Sequence, residues 1–262
     1  MKAILTDTTL CIGCRECVVA CQKRYGLEND IPHRWDLEDG LSARRWTSIV
    51  EQNEEYIRKQ CRHCLEPACV SACPVGALQK DETTGAVTYD GGVCMGCRYC
   101  MIACPYGIPR YDWDQPVPYV RKCILCADYI ARGEEPACTT ACPVGATIFG
   151  DRDELLEIAR RRIQGSPGKY FDDRIWGEKE VGGSQVLYLS DIDLSFLTYG
   201  GNLGDKPLPE RTATAMHAVP YAFVGMGSLM AGLSWLIGRR IKNKEQNDKP
   251  SDIPSREDDK DE

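Results

Sequence analysis

Apolar and polar positions alternate through Met1–Leu10, and the same period-two pattern returns near Ala86. These runs predict short strands at Ala3–Thr6 and Ala86–Tyr89. Short helices are predicted at Arg15–Ala20 and Arg98–Ala103, each just beyond a strand and a loop. Asp151–Ile163 predicts a charged amphipathic helix, and Gln185–Leu189 a further strand. Tyr199–Glu210, rich in Gly and Pro, predicts a linker. From Thr212 to Gly238 no residue carries a formal charge. Within that run Val219–Ile237 is long enough to cross hydrocarbon as a helix, which takes ~20 residues. Gly227 with Ala231, and Ser228 with Gly232, give it small-xxx-small stripes suited to close helix packing in lipid.

Composition changes this picture at one residue type. The 16 cysteines fall into four groups of four. They are Cys11, Cys14, Cys17, Cys21; Cys61, Cys64, Cys69, Cys73; Cys94, Cys97, Cys100, Cys104; and Cys123, Cys126, Cys138, Cys142. The first and third groups read C-x2-C-x2-C-x3-C, and the last three end in Cys-Pro. This is the ligand run of bacterial-type [4Fe–4S] ferredoxins. Sixteen thiolates at four per cluster predict four cubanes. Proline after the fourth cysteine, lacking an N–H, is expected to end each short helix. Gln22 stands after Cys21, where a proline often stands.

The groups lie on an internal duplication. AILTDTTLCIGCREC at 3–17 matches AVTYDGGVCMGCRYC at 86–100, so that Asp7/Asp90, Gly13/Gly96 and Arg15/Arg98 coincide. YIRKQCRHC at 56–64 matches YVRKCILC at 119–126, and ACPVGA at 72–77 recurs at 141–146. The first group is thus akin to the third and the second to the fourth. In two-cluster ferredoxins the fourth cysteine of a run crosses to the other cluster. Each module should therefore hold one group of each kind. Either first pairs with second and third with fourth, or first with fourth and second with third. The 20 residues between Cys73 and Cys94 favour the latter, but the 18 between Cys104 and Cys123 fit the former.

Soft thiolates and close backbone approach at Gly13 and Gly96 suit a cubane. A structural zinc scaffold anchored to membrane is the competing class, since paired C-x2-C knuckles are usual for zinc. His63 falls inside the second group, where four thiolates already stand, and reads as a loop residue beside the cluster. Arg58, Lys59, Arg121 and Lys122 precede cluster cysteines, either raising potentials or forming a solvated basic face. Tyr25, Tyr99, Tyr106, Tyr111 and Trp113 read as core packing. His33, His63 and His217 are far apart, no nucleotide-binding motif appears, and no catalytic residue is expected. The net charge of −7 argues against a nucleic-acid partner.

These motifs, with RKCILC…EEPACTTACPVGATIFGD at 121–151 and IWGEKEVGGSQVLYLS at 175–190, resemble the four-cluster ferredoxin-like electron-transfer subunits of membrane-bound respiratory oxidoreductases. That family includes subunits of formate dehydrogenase-N, the dimethyl sulfoxide reductase group and periplasmic [NiFe] hydrogenase. The resemblance implies an α+β fold of two nested bacterial-ferredoxin-like dicluster modules plus one C-terminal transmembrane helix. Module one would comprise about 1–55 and 116–150, and module two about 56–115. A wrapping segment at 151–211, a membrane helix at 212–238 and a charged, disordered tail at 239–262 would follow. The implied ligand sets are Cys11/Cys14/Cys17/Cys142, Cys21/Cys123/Cys126/Cys138, Cys61/Cys64/Cys69/Cys104 and Cys73/Cys94/Cys97/Cys100. The implied function is electron relay between a large catalytic subunit and a membrane cytochrome b or quinone-reactive subunit. The catalytic partner would be a molybdenum- or tungsten-pterin formate dehydrogenase or, alternatively, a [NiFe] hydrogenase or another molybdopterin oxidoreductase.

Arg239, Arg240, Lys242 and Lys244 follow the apolar run, and basic residues stay on the cytoplasmic side. The cluster domain is therefore expected in the periplasm, on a single-pass anchor in the inner membrane, with the C-terminus cytoplasmic. The start of the chain shows no export signal. Co-export with a signal-bearing catalytic partner is the expected resolution.

Overall fold

The computed structural model describes residues 1–28, 38–113, 115, 119–198 and 203–247. His33 and residues 248–262 of the expected tail lie outside them. The strands are β1 (Lys2–Asp7), β2 (Thr47–Gln52), β3 (Glu55–Gln60), β4 (Leu78–Lys80), β5 (Val87–Tyr89), β6 (Arg110–Tyr111), β7 (Val120–Arg121), β8 (Thr147–Asp151) and β9 (Val186–Leu189). The helices are α1 (Glu16–Tyr25), α2 (Ala68–Ser71), α3 (Tyr99–Ala103), α4 (Ala127–Ala131), α5 (Ala137–Thr140), α6 (Arg152–Gly165) and α7 (Leu208–Asn247). The chain divides into two compact units, one ending at Arg211 and the other beginning at Thr212.

In the first unit β1 is the centre of a three-stranded sheet, antiparallel to β8 and parallel to β9. Alternation along β1 decides what each face buries. Ala3 and Leu5 turn to Leu155, Leu156 and Ala159 of α6. Ile4, with Val186 and Tyr188 of β9, faces Leu125, Ile130 and Cys138. The sheet therefore lies between α6 and the cysteine loops. Asp153 and Glu154 in the first turn of α6 and Arg162 in its last complement the helix dipole. Segment 183–186 ties the second cysteine group to this sheet. Leu65 N–H donates to Gly183 O at 3.0 Å, and Gln185 N–H to Arg62 O at 3.1 Å.

The duplication survives in strand register. β1 pairs with β8 through Ile4↔Phe149, Leu5↔Ile148 and Thr6↔Thr147. β5 pairs with β4 through Val87↔Lys80, Thr88↔Gln79 and Tyr89↔Leu78. These are the same pairs carried through the repeat. The flanking bonds match as well: Asp7 N–H donates to Ala146 O at 2.7 Å and Asp90 N–H to Ala77 O at 2.8 Å.

Three boundaries differ from expectation, one being that α7 runs on to Asn247, into the tail expected to be disordered from 239. α1 continues past Cys21 to Tyr25, because Gln22 supplies the N–H that proline lacks, whereas Pro105 stops α3 at Ala103. α7 begins at Leu208, inside the expected linker, because Pro209 in a first turn costs the helix no hydrogen bond. Residues 199–202 of that linker lie outside the described residues. The second unit holds most of α7, which contains an 18-residue stretch of mean hydropathy 1.4 and is long and apolar enough to cross a membrane. Its apolar side chains, including Phe223, Leu229 and Leu236, are exposed. Arg239 lies over the Trp235 ring at 5.5 Å, an aromatic–basic pair of the kind that marks membrane–water boundaries.

Candidate iron–sulfur centres

Each cysteine group begins on a loop that leaves a strand and ends on or just past a short helix. After β1, Gly13 and Arg15 take left-handed backbone with φ of 65° and 63°. After β5, Gly96 and Arg98 repeat this with φ of 72° and 65°. Such alternation turns successive N–H groups inward and makes an anion-binding concavity. A non-glycine residue held there stores roughly 1–3 kcal/mol of strain. In the second and fourth groups the strained residues are His63 (φ 47°) and Leu125 (φ 59°), each just before the second cysteine.

His63 thus holds the place that Leu125 holds in the fourth group, and both are fully buried. Its Nδ1 accepts the Val87 N–H at 2.8 Å. Burial, then the charges of Lys122 and Lys80, hold its pKa well below the ordinary value. The imidazole is therefore neutral with its proton on Nε2, which is buried without a protein partner.

All sixteen thiols are free, and all but Cys14 are at least partly buried. A cavity is lined by Cys11, Cys14, Cys17 and Cys142, together with Thr6, Ile49, Val144 and Arg58. Cys21 faces Cys138 and Cys126, and Cys123 faces Cys21, Cys61 and Cys138. Cys64 faces Cys104, Cys61 and Cys69. Cys100 faces Cys73, Cys94 and Cys97. Most of these neighbours belong to one implied set, and Cys61 beside Cys123 links two of them. α1 packs on α5 and α2 on α3, so the sets also stand next to one another: Cys17 faces Cys138, and Cys69 faces Cys100. Among the described residues no three of His, Cys, Asp and Glu converge closely enough to share one ion.

The environment fits sulfur ligands of a larger anionic cluster. Burial pushes the Cys17 and Cys100 thiols up to about 11 and Cys69 up to about 12. Neighbouring thiols add to the effect, so thiolates here need cationic iron beside them. Burial also raises Cys73, but N–H groups of Leu78, Val75, Ala77 and Gly76 outweigh it and leave that thiol below its ordinary value. Ala77 N–H reaches Cys73 Sγ at 3.2 Å and Leu125 N–H reaches Cys123 Sγ at 3.4 Å. Hydrogen bonds of this kind tune cluster potentials. The hydroxyls of Tyr25 and Tyr89 are buried without a further partner and face Cys126 and Cys94.

The remaining candidates divide. Arg58 and Lys122 are buried among the groups. Lys59 is turned to Asp39 at 2.9 Å. Tyr106 and Tyr111 are core residues, but Tyr99 and Trp113 are exposed, with the Arg98 guanidinium 4.7 Å from the Trp113 ring. The phenol contacts to sulfur were not foreseen. A tyrosine at the last position of a helix or a strand carries no local sign of the cysteine it will meet.

Comparison with known proteins agrees with this geometry. Residues 52–152 match the 4Fe-4S dicluster domain family, and residues 8–26 match a 4Fe-4S binding domain. The chain is 37% identical to the hydrogenase-2 operon protein HybA of Escherichia coli O157:H7, over 92% of this chain and 85% of that one. It is 34% identical to the iron–sulfur subunit of nitrate-inducible formate dehydrogenase of Escherichia coli K12, over 95% and 89% of the two chains. A formate dehydrogenase iron–sulfur subunit of Haemophilus influenzae is 35% identical, over 87% and 77%. The repeated cysteine loops and these relatives together show that the chain belongs to the family of 4Fe-4S iron–sulfur electron-transfer subunits of respiratory oxidoreductases, which are not catalytic themselves.

Proposed function

We propose that the chain holds four [4Fe–4S] clusters and relays electrons between a catalytic subunit and a membrane acceptor. The observation that supports this reading is the clustering of buried thiols on duplicated loops. The ligand sets are Cys11/Cys14/Cys17/Cys142, Cys21/Cys123/Cys126/Cys138, Cys61/Cys64/Cys69/Cys104 and Cys73/Cys94/Cys97/Cys100. Module one takes about 1–55 and 116–150, and module two about 56–115. The matching register of β1–β8 and β5–β4 supports this division. When bound, the clusters supply one-electron donor and acceptor sites. The chain's own residues fix the thiolates, aim N–H groups at sulfur and exclude water. Analysis of the purified subunit should return about 16 iron and 16 inorganic sulfide per chain. Zinc, or near 12 iron, would sink the reading.

For the catalytic partner, the relatives of formate dehydrogenases support a molybdenum- or tungsten-pterin formate dehydrogenase. A second reading, a [NiFe] hydrogenase, is favoured by the 37% identity with the hydrogenase-2 operon protein. Mass spectrometry of the co-purifying large subunit, with formate- and hydrogen-dependent dye reduction, separates the two. The apolar stretch of α7 is the membrane anchor and docks on a cytochrome b or other quinone-reactive subunit. Arg239, Arg240, Lys242 and Lys244 orient it with the C-terminus in the cytoplasm and the cluster domain in the periplasm. A fluorescent protein fused after Glu262 should light up in the cytoplasm. A dark fusion with full-length protein in the membrane contradicts the orientation.

A further inference from the structure

Arg58 is among the largest fully buried side chains, at 1% exposure. Its Nε and Nη1 make no hydrogen bond. Its Nη2 reaches Thr6 Oγ1 at 3.5 Å, the outer limit of such a bond, and the other polar partner within reach of the guanidinium is the Cys138 thiol. Among the described residues no carboxylate pairs with it. A guanidinium stays charged, and an unpaired buried charge is among the most costly features a fold can hold. The compensating charge must lie where the side chain points. Arg58 lines the cavity ringed by Cys11, Cys14, Cys17 and Cys142. Its strongest charge neighbour is Cys138, which belongs to the adjacent set, followed by Cys17 of the first set. The guanidinium therefore stands between two ligand sets at once.

We propose that Arg58 is the shared counter-charge of the two clusters held by the first and fourth cysteine groups, raising both reduction potentials together. A cubane with four thiolates is anionic in either redox state and gains one further negative charge on reduction. A fixed positive charge in a low-dielectric site stabilises the reduced form more than the oxidised form. The repeat sharpens the point. Relative to its cysteine, the copy before Cys123 lacks the residue that Gln60 adds before Cys61. There Lys122 is the inward charge, and two of its three N–H groups go to the carbonyls of Val87 and Cys123. Arg58 keeps most of its five N–H groups for a cluster.

The inference rests on the proposed ligand sets, and the test keeps the two separable. Potentiometric EPR titration of the intact complex is made for wild type, Arg58→Met, Arg58→Gln and Arg58→Lys, with Cys142→Ser in parallel. Both neutral variants should weaken electron uptake by two of the four clusters ~10-fold or more, which is 59 mV per tenfold for one electron. The other two should hold their potentials, and Arg58→Lys should restore at least half the shift. Four unchanged potentials, four that fall alike, or no recovery with lysine would overturn the proposal. If the neutral variants lose iron, an iron-loaded Arg58→Lys protein with near-normal potentials supports the counter-charge, and loss of iron from it as well rejects it. The ligand assignment fails separately if the cluster altered by Cys142→Ser is not one of the two that respond to Arg58.

Discussion

The two halves of the duplication keep the same strand register and the same left-handed turns, yet their surroundings differ at almost every point. In the first half β1–β8 gains a third strand, β9, and is covered by α6. In the second half β4–β5 stands as a two-stranded pair. Asp7 is buried, accepting from Arg162 Nη1 at 2.9 Å and the Tyr170 hydroxyl at 3.0 Å. Its counterpart Asp90 is exposed, and its carboxylate accepts the Gly92 N–H at 2.7 Å. The one-residue difference ahead of Cys61 and Cys123 turns Arg58 inward on one side and Lys122 on the other, because side chains on a strand change face with every residue. What the cysteines require is thus the loop and its two flanking strands. The charges and supports around that unit have been free to diverge.

The largest expected contrast tests whether the fourth cysteines cross within their own halves. Cys142→Ser should alter only the cluster of Cys11, Cys14 and Cys17, and Cys73→Ser only that of Cys94, Cys97 and Cys100, each with loss of up to about four iron per chain. EPR of the two variants checks this, and identical spectral losses would erase the distinction between the halves.

Next comes the unequal worth of the matched aspartates. Removing one partner of a buried ion pair costs about 3–5 kcal/mol, reduced here because Arg162 keeps part of its solvation. Asp7→Ala should lower the apparent Tm by roughly 6–10 °C, at about 2–4 °C per kcal/mol for a domain of this size. Asp90→Ala should lower it by less than about 3 °C, as befits one exposed turn hydrogen bond. Equal shifts by differential scanning fluorimetry would show that β9 and α6 add nothing to the first half.

A subtler pair concerns Gly13 and Gly96. A Cβ on Gly13 would meet the Tyr56 ring carbons at 2.7 Å, whereas one on Gly96 would meet the Tyr111 hydroxyl at 2.6 Å. Both Gly→Ala variants should be destabilised by more than about 1 kcal/mol, since φ is positive at each. Tyr111→Phe should relieve part of the cost at Gly96, and Tyr56→Phe none of the cost at Gly13. A double-mutant cycle by thermal denaturation measures the coupling, with about 0.5 kcal/mol or more expected only for the Gly96 pair.

The smallest effects belong to the phenols. Tyr25→Phe should lower the potential of the cluster held by Cys126, and Tyr89→Phe that of the cluster held by Cys94. Loss of one hydrogen bond, about 0.5–1.5 kcal/mol, bounds each shift. Redox titration should place the Tyr25 effect first, because its hydroxyl is the more deeply buried.

Much of this arrangement was legible in the residues. Regular spacing exposed the cysteine groups, self-similarity exposed the duplication, period-two runs exposed β1 and β5, and β9 was expected as a strand at Gln185–Leu189. The choice between the two pairings of groups was not legible from spacing alone. It depends on contacts between residues more than a hundred positions apart, such as Thr6 with Thr147. β2 and β3 were missed because Glu, Arg, Lys and Gln give Thr47–Gln60 a polar reading. Their ladder is fixed by pairing, Ile49↔Arg58 and Val50↔Ile57, rather than by a hydrophobic face. β4, β6 and β7, at two or three residues, are too short for any periodicity. Tyr99 and Trp113 were assigned to the core by residue type, but their neighbours leave them at the surface. The inward turn of Arg58 could have been found by aligning the two copies from the cysteine backward, which exposes Gln60 as the extra residue.

The most direct measurement of the central claim is an anomalous-difference map at the iron edge from crystals of the complex. The account predicts four iron clusters in this chain, with Cys142 on the cluster of Cys11, Cys14 and Cys17, and Cys104 on that of Cys61, Cys64 and Cys69. Fewer than four clusters, or Cys142 bound with Cys94, Cys97 and Cys100, would contradict it.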